Sequence, residues 1–120
     1  MYLEIDYEER NAGIRIWRCR GYGEVLKVPE MLEGKMVTEL APYALSSSRP
    51  AEEPDPSVIK HVVLKPEEKG FGEPSELCGK QLTEVYLPSG LRLIGDYAFY
   101  FCRNLKVIHF HGNIEEVGGG

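Results

Sequence analysis

The chain has 120 residues, 42% of them hydrophobic and 28% charged, which is the composition of one soluble globular domain rather than of a disordered or membrane-spanning chain. Its formal net charge of -5, with Lys and Arg scattered singly, argues against DNA or RNA as a partner. No apolar run reaches the roughly 18 residues that a membrane-spanning helix needs.

The start of the chain and its cysteines bear on the compartment. Residues 1–6 lack the basic stretch followed by an apolar one that marks a signal peptide, so the chain as it stands predicts a cytoplasmic protein. A chain from which a signal had been removed would start in the same way, so a surface or secreted protein stays an alternative. Cys19, Cys78 and Cys102 form neither an even set nor a C-x-x-C pair, which favours reduced, buried thiols.

Residues 1–23 have the pattern of a β-hairpin that caps one end of a larger structure. Apolar residues alternate with polar ones on both sides of residues 8–13, which supply the turn. The side chains predicted to face inward are Leu3, Ile5, Tyr7, Ile14 and Ile16, with Arg18 as a further candidate.

Residues 24–58 match a long first unit of an internal repeat. Residues 26–29 (LKVP) correspond to residues 85–88 (VYLP), and residues 37–45 to residues 91–99, with about five extra residues around 31–35. The end of this unit, residues 46–57, holds three prolines and few apolar side chains. We therefore predict that residues 46–57 form an exposed, mobile excursion, which proteases cut first.

A six-residue segment recurs in the second half of the chain at a constant spacing. Residues 82–87 (LTEVYL) match residues 105–110 (LKVIHF), where 105 − 82 = 23, and residues 59–64 (IKHVVL), where 82 − 59 = 23. The match continues downstream: Leu91, Ile94 and Gly95 fall on Ile114, Val117 and Gly118, and Phe71-Gly72 falls on Ile94-Gly95. The predicted repeats are 59–81, 82–104 and 105–120, the last one incomplete.

Each unit combines the alternation of a strand with a turn and a second apolar pair, and one unit alone cannot bury its apolar side chains. Stacked units bury them together. The predicted fold class is a mainly β repeat solenoid of about four units of about 23 residues, with the hairpin as its N-terminal cap. The predicted core consists of Leu82, Val85, Leu87, Leu91, Ile94, Phe99 and their equivalents. Because the last unit stops before its turn, we expect an open C-terminal edge that further units or another molecule cover.

The most specific stretch of the repeat is residues 94–99 (IGDYAF), which follows L-x-x-V-x-L-P from Leu82 and precedes Cys102 and Leu105. This pattern resembles the BspA-type leucine-rich repeat of bacterial surface proteins, over residues 14–118 with gaps. The resemblance implies a short leucine-rich repeat stack that acts as a binding or assembly module.

One unit departs from that pattern. In the unit 59–81, residues 73–77 (EPSEL) replace the Tyr-Ala-Phe element. We therefore expect Leu77 and Cys78 to be the inward-facing pair there.

No residue pattern predicts catalysis, a cofactor or a metal site. The chain lacks H-E-x-x-H, a P-loop and G-x-S-x-G. His109 and His111 lie two apart on a strand, but His61 lies two units away, about 10 Å at roughly 4.8 Å per strand. That is too far for a shared metal ion, so solvent-facing histidines are favoured.

Two further candidates favour a structural interpretation. The resemblance to the BspA-type repeat implies that Cys102 lies in the buried turn, where apolar surroundings raise a thiol pKa and reduce its reactivity. The G-x-G fragments at 21–23 and 70–72 lack a third glycine and a following helix, so they indicate turns rather than phosphate loops.

Stacking predicts a ligand surface of outward-facing strand residues. Lys27, Val63, Tyr86 and His109 form one row, and His61, Glu84 and Val107 form another, with Lys65 beside them. Tyr and His next to aliphatic residues suit contact with a protein, with carbohydrate as an alternative. Self-association through the C-terminal edge and a sheet face with no selected partner also stay open. The sequence therefore predicts a non-catalytic protein-binding module, and as runner-up a structural N-terminal repeat segment of a longer surface or multidomain protein.

Overall fold

The computed structural model describes residues 1–10, 12–48, 54–110 and 114–119, and within these ranges the chain is mainly β. The strands are β1 (Leu3–Arg10), β2 (Gly13–Gly21), β3 (Val25–Lys27), β4 (Met31–Leu32), β5 (Lys35–Leu40), β6 (Lys60–Leu64), β7 (Ser75–Glu76), β8 (Glu84–Tyr86), β9 (Leu93–Ile94), β10 (Val107–His109) and β11 (Glu116–Val117). Two 3-10 turns span Pro56–Val58 and Pro66–Glu68. None of the helical segments described is long and apolar enough to cross a membrane.

The strands form two sheets around one core. An eight-stranded sheet has the order β11-β9-β5-β2-β1-β6, with β4 paired to β5 and β7 paired to β2, and a three-stranded sheet has the order β10-β8-β3. A single cluster of buried side chains draws on both sheets, from Ile5, Ile14 and Leu40 in the first to Leu26 and Val85 in the second. Burial of this shared apolar surface is the main term that holds the two sheets together.

The predicted N-terminal hairpin is present, since β1 and β2 pair antiparallel from Leu3↔Gly21 to Arg10↔Gly13. Its alternation is interrupted by a β-bulge: the register shifts between Asp6 and Tyr7, so Trp17 has no opposite residue. The bulge moves Cys19 into the core, and Arg18 lies at the half-buried surface. The hairpin extends the larger sheet because β2 lies parallel to β5.

The 23-residue spacing is confirmed as a pairing register in the second half of the chain. Val107 lies opposite Glu84, where 107 − 84 = 23, and Glu116 lies opposite Leu93, where 116 − 93 = 23. Both pairs of strands are parallel. Equivalent strands of successive units therefore lie side by side.

The long first unit pairs directly with residues 82–104, in the register of the sequence correspondence and with its extra residues in the middle. Between β3 and β8 the offset is 84 − 25 = 59, but between β5 and β9 it is 93 − 39 = 54. The five-residue difference is taken up by β4 and β5, which form a tight hairpin through Glu33 at φ 50° and Gly34 at φ 79°.

The expected place of the unit 59–81 in this stack is wrong. β6 pairs antiparallel with β1 at the edge of the eight-stranded sheet, and β3 pairs directly with β8. The segment 59–64 therefore does not lie between the first unit and residues 82–87. The sequence match of Phe71 with the buried Ile94 is also wrong as a structural equivalence, since Phe71 is fully exposed.

The predicted excursion 46–57 is only partly described, since residues 49–53 lie outside the described residues. Its first residues are fixed rather than free: Ser46 is buried, and its hydroxyl donates to Tyr100 O over 2.7 Å. The Arg18 guanidinium also donates to Ser46 O and Ser48 O, each over 2.8 Å. The beginning of this segment therefore belongs to the body of the protein.

Most of the predicted core is confirmed. Buried side chains at the predicted positions are Leu82, Val85, Leu87, Leu91 and Ile94, with Phe99 partly buried against them. Leu77 and Cys78 are also buried, as expected for the unit that lacks the Tyr-Ala-Phe element.

Candidate binding face

The three-stranded sheet carries an ordered row of side chains on its outer surface. The register places Lys27 opposite Tyr86 and Tyr86 opposite His109. A second row holds Glu84 and Val107. Five of the predicted surface residues are thus brought together, because residues two apart on adjacent parallel strands project to the same side.

The aromatic rings of this row are in close contact. Tyr86 and His109 stack with centroids 4.0 Å apart and an interplanar angle of 8°. The ammonium of Lys27 lies 5.3 Å from the centroid of the Tyr86 ring, in the range of a cation–π contact. Tyr86 is therefore in contact with a neighbour from each adjacent strand.

Glu84 fixes the row from the adjacent position. Its Oε2 lies 2.5 Å from His109 Nε2. Hydrogen bonds from His109 and then from Tyr86 lower the pKa of the Glu84 carboxyl, and the same contact with Glu84 raises the pKa of the Tyr86 hydroxyl. Glu84 is therefore an ionised acceptor at neutral pH, which orients both rings.

Beneath these side chains, the inward positions of β3 and β8 are in the core. Leu26 and Val85 are fully buried. Backbone hydrogen bonds continue beyond the strand ends: Val28 N–H donates to Tyr86 O over 3.0 Å, and Leu87 N–H donates to His109 O over 2.8 Å. The alternation Val85-in, Tyr86-out follows directly from the sequence pattern.

Three predicted surface residues are not part of this face. His61 and Val63 lie on β6, in the other sheet, and Lys65 follows β6 with φ 50°. They were assigned from the expected stack of units, and β6 does not join it. The rows predicted across four units therefore have no member from residues 59–81.

His61 instead belongs to a charged cluster that the sequence analysis did not identify. Its Nδ1 lies 2.8 Å from Asp6 Oδ1, and Arg20 donates to Asp6 over 3.0 Å and to Glu4 over 3.3 Å. Burial alone raises the pKa of Asp6, but the hydrogen bonds with His61 and Arg20 outweigh it and lower the pKa. The polar positions between the inward residues of β1 were the available signal for this cluster.

The thiols and histidines do not converge on a reactive site within the described ranges. Burial raises the pKa of Cys19 to about 12 and that of Cys102 to about 11, so neither is a thiolate at neutral pH. His61 and His109 lie on different sheets, and His111 lies outside the described residues. No group of three metal-binding side chains is found among the residues described.

The edge of both sheets at β10 and β11 exposes positions that are buried in the earlier units. Ile108 is 37% exposed whereas its equivalent Val85 is fully buried, and Val117 is 66% exposed whereas Ile94 is 8% exposed. Phe110 shows the same change, at 62% against 5% for Leu87. Within the described part of the chain, no strand pairs with the outer side of β10 or β11. Apolar side chains at core positions are therefore exposed to solvent at the edge formed by β10 and β11.

No protein-family model and no curated protein matches the chain. A crystal structure of a leucine-rich repeat protein from Treponema pallidum is similar to it, with a TM-score of 0.63 and 24% sequence identity. The similarity covers 92% of this chain and 38% of that one, so the chain spans well under half the length of the protein it resembles. At this identity the similarity is one of fold alone: the mainly β fold of this chain is similar to that of a leucine-rich repeat protein.

Proposed function

We propose that the chain is a non-catalytic recognition module, a short solenoid of BspA-type leucine-rich repeats, which binds a protein through the outer face of the three-stranded sheet. The observation that carries the proposal is the row Lys27, Tyr86 and His109, which is held in place by stacking and by Glu84. Side chains that are already ordered lose little conformational freedom on binding, so more of their contact energy remains as affinity.

The environment of Tyr86 favours a protein over a carbohydrate at this face. Sugars bind by lying flat on aromatic rings, but the Tyr86 ring contacts His109 on one side and Lys27 on the other. The groups of this face that remain available to a ligand are the edge of the Tyr86 ring, its hydroxyl and the neighbouring charges. Aromatic edges combined with polar tips and charges of both signs are typical of protein interfaces.

Selection of peptide ligands tests this proposal. Random peptides displayed on phage are selected against the whole chain, and the affinity of the enriched peptides is measured by calorimetry. The variant Tyr86→Ala/His109→Ala should bind them at least about tenfold more weakly, or roughly 1.4 kcal/mol, as expected for the centre of an interface.

Tyr97→Ala is the matched control, since Tyr97 is an exposed ring in the turn after β9 and lies outside the three-stranded sheet. It should leave the affinity unchanged. Equal affinity of the peptides for wild type and the double variant would refute the proposal, as would a loss confined to Tyr97→Ala.

A second candidate function rests on the open edge at β10 and β11. We propose as the alternative that the chain is a structural N-terminal repeat segment, whose exposed Ile108, Phe110 and Val117 receive a further unit of the same kind. Such a unit would continue the parallel pairing of β8 with β10 and of β9 with β11. Contacts between neighbouring units supply much of the stability of stacked repeats.

Adding one unit tests the structural alternative. Residues 96–104 followed by residues 82–95 are joined after Gly118, which supplies one further 23-residue unit in the spacing of β8 to β10. The midpoint of urea unfolding should rise because the open apolar positions become buried. A control copy with Ser at the positions of Val85 and Leu87 should not raise it. Equal midpoints for the two extended chains would count against this function.

A further inference from the structure

The loop between β6 and β7 presents one aromatic side chain entirely to solvent. Phe71 lies at its tip between Gly70 and Gly72, and its side chain is fully exposed. The other exposed large apolar side chains in the described ranges are at most 66% exposed, the value for Val117, and Met31 is 53% exposed. A free-standing Phe is unusual on a soluble surface, because large apolar side chains gain free energy when water is removed from them.

The loop that carries Phe71 is held in position by Tyr22. The Tyr22 hydroxyl lies 3.3 Å from Gly70 O and 2.8 Å from Gly72 O, the two carbonyl acceptors on either side of Phe71. A Cβ at Gly70 would touch the Tyr22 ring at 3.6 Å, and Gly72 has φ 76°, a conformation that glycine adopts without strain. The Tyr22 side chain therefore contacts the backbone on both sides of Phe71.

Both ends of the loop are also anchored. On the first side the Lys69 N–H donates to Pro66 O over 3.2 Å, which closes a 3-10 turn. On the other side β7 pairs with β2, and Leu77 N–H donates to Cys19 O over 2.9 Å. The loop that exposes Phe71 is therefore held at both ends as well as by Tyr22.

The charge around Phe71 specifies what kind of surface it fits. Residues 65–76 contain four carboxylates and two ammonium groups, one of the carboxylates (Glu68) is paired with the N-terminal ammonium, and the chain as a whole has a net charge of -5. Glu67 and Glu73 form no ion pair with any residue in the described ranges. An acidic tip is repelled by anionic lipid headgroups and attracted by Lys and Arg side chains.

We propose that Phe71 is an anchor that inserts into an apolar pocket, bordered by basic side chains, on a partner protein. This contact is separate from the face of the three-stranded sheet, since β6 and β7 belong to the other sheet. A single rigid aromatic residue placed in a pocket is the usual centre of a protein interface.

A host molecule with the chemistry of the proposed pocket provides the first test. The chain is titrated with β-cyclodextrin in cationic (amino), neutral and anionic (carboxymethyl) forms, and the amide signals of Gly70, Phe71 and Gly72 are followed by NMR. We expect the cationic host to bind most tightly and the anionic host least tightly, with the difference reduced by salt. Phe71→Ala should weaken binding at least tenfold, whereas Met31→Ala should not. Equal binding of the three hosts, or unchanged binding to Phe71→Ala, overturns the proposal.

Photocrosslinking in cell extracts tests which kind of molecule contacts Phe71. p-Benzoylphenylalanine is placed at Phe71 or, as the matched control, at Met31 in the full chain, and extracts of the source organism are irradiated. The proposal expects an adduct only from position 71, joined to a protein at apolar residues bordered by Lys or Arg. It is overturned by adducts with lipid, by adducts with a second copy of this chain, or by yields no higher than those from position 31.

Discussion

At the scale of single residues, Gly95 shows why the repeat has glycine after its second strand. Gly95 N–H donates to Leu40 O over 2.8 Å, and a Cβ at this position would lie 2.5 Å from Pro42 N and 2.6 Å from Ala41 C. Gly118 approaches the preceding unit in the same way, since a Cβ there would lie 2.5 Å from Asp96 N. The glycines are needed because the backbones of adjacent units approach closely, not because of an unusual φ.

Gly95→Ala should therefore destabilise the protein. The atoms nearest the new methyl group belong to the backbone of residues 40–42, which cannot move aside as a side chain can. We expect a loss of about 1 to 3 kcal/mol in the free energy of unfolding, measured by urea denaturation. Gly119→Ala is the control, because no atom lies within 4 Å of a Cβ there. Equal effects of the two substitutions would show that adjacent units do not approach as closely as described.

Leu87 and Tyr86 are neighbours in sequence but differ in their contribution to stability. Leu87 lies in the core and Tyr86 on the outer face. Leu87→Ala should lower the free energy of unfolding by about 2 to 5 kcal/mol, since it removes buried methyl groups and leaves a cavity. Tyr86→Ala should cost up to about 1 kcal/mol, from its stacking on His109. Comparable losses in thermal or urea unfolding would contradict the strand register.

At the scale of elements, the sequence predicts some pairings well and one wrongly. The spacing of 23 gives the correct partners for β8 with β10 and for β9 with β11, because apolar, turn and glycine positions repeat together there. The segment 59–64 matches only in its strand alternation, which any half-buried strand satisfies. Alternation shows which side chains face inward, but it does not identify the strand alongside, which depends on the whole fold.

The candidate site was likewise predicted correctly where the repeat match is complete and wrongly where it is partial. Lys27, Tyr86 and His109 were predicted as one row from the repeat, and they lie in one row. His61 was assigned from the segment that matched least completely, and it lies beside Asp6 instead. The departure at residues 73–77 was the signal that this unit differs from the others. No pattern in the sequence indicates that Tyr22 forms hydrogen bonds with the loop of Phe71, because that contact joins residues about 50 positions apart.

Engineered disulfides can test the position of β6. Glu4 lies opposite Val63 in the antiparallel pair of β1 with β6, so their Cα atoms are about 4.5 to 5.5 Å apart, within the range of a disulfide. Glu4→Cys/Val63→Cys should form an intramolecular disulfide under mild oxidation, detected by mass spectrometry after proteolysis. Val63→Cys/Tyr86→Cys should not, since these residues lie in different sheets. A disulfide in the second variant only would restore the stack with residues 59–64 inside it.

At the scale of the whole molecule, the two ends of the core differ. On one side β2, β1 and β6 continue the larger sheet beyond β5, and their outer surface is linked by ion pairs such as Arg20 with Asp6 and Arg15 with the buried Glu39. On the other side the apolar positions of β10 and β11 are open. The charged network therefore lies on the side of β2, β1 and β6, and the exposed apolar side chains lie on the opposite side, at β10 and β11.

The charged network makes stability depend on pH, and Asp6 is where this can be measured. The pKa of Asp6 is lowered in the folded protein, because hydrogen bonds with His61 and Arg20 outweigh the effect of burial. A lowered folded-state pKa contributes stability that is present above the usual Asp pKa of about 4 and is lost as the pH falls through the lowered value. Asp6→Asn should therefore destabilise the protein at neutral pH, and the difference from wild type should shrink as the pH falls below about 4.

The measurement is the free energy of urea unfolding of both proteins at several pH values from about 7 to about 3. Glu4, Arg20 and His61 are the charged or titratable groups in the same cluster as Asp6, and the comparison with Asn isolates the change at residue 6. Glu67→Gln removes an exposed carboxylate in the loop after β6 and is the control for the loss of one negative charge as such. A constant difference between wild type and Asp6→Asn across the range would mean that the contacts of the Asp6 carboxylate with His61 and Arg20 contribute no pH-dependent stability.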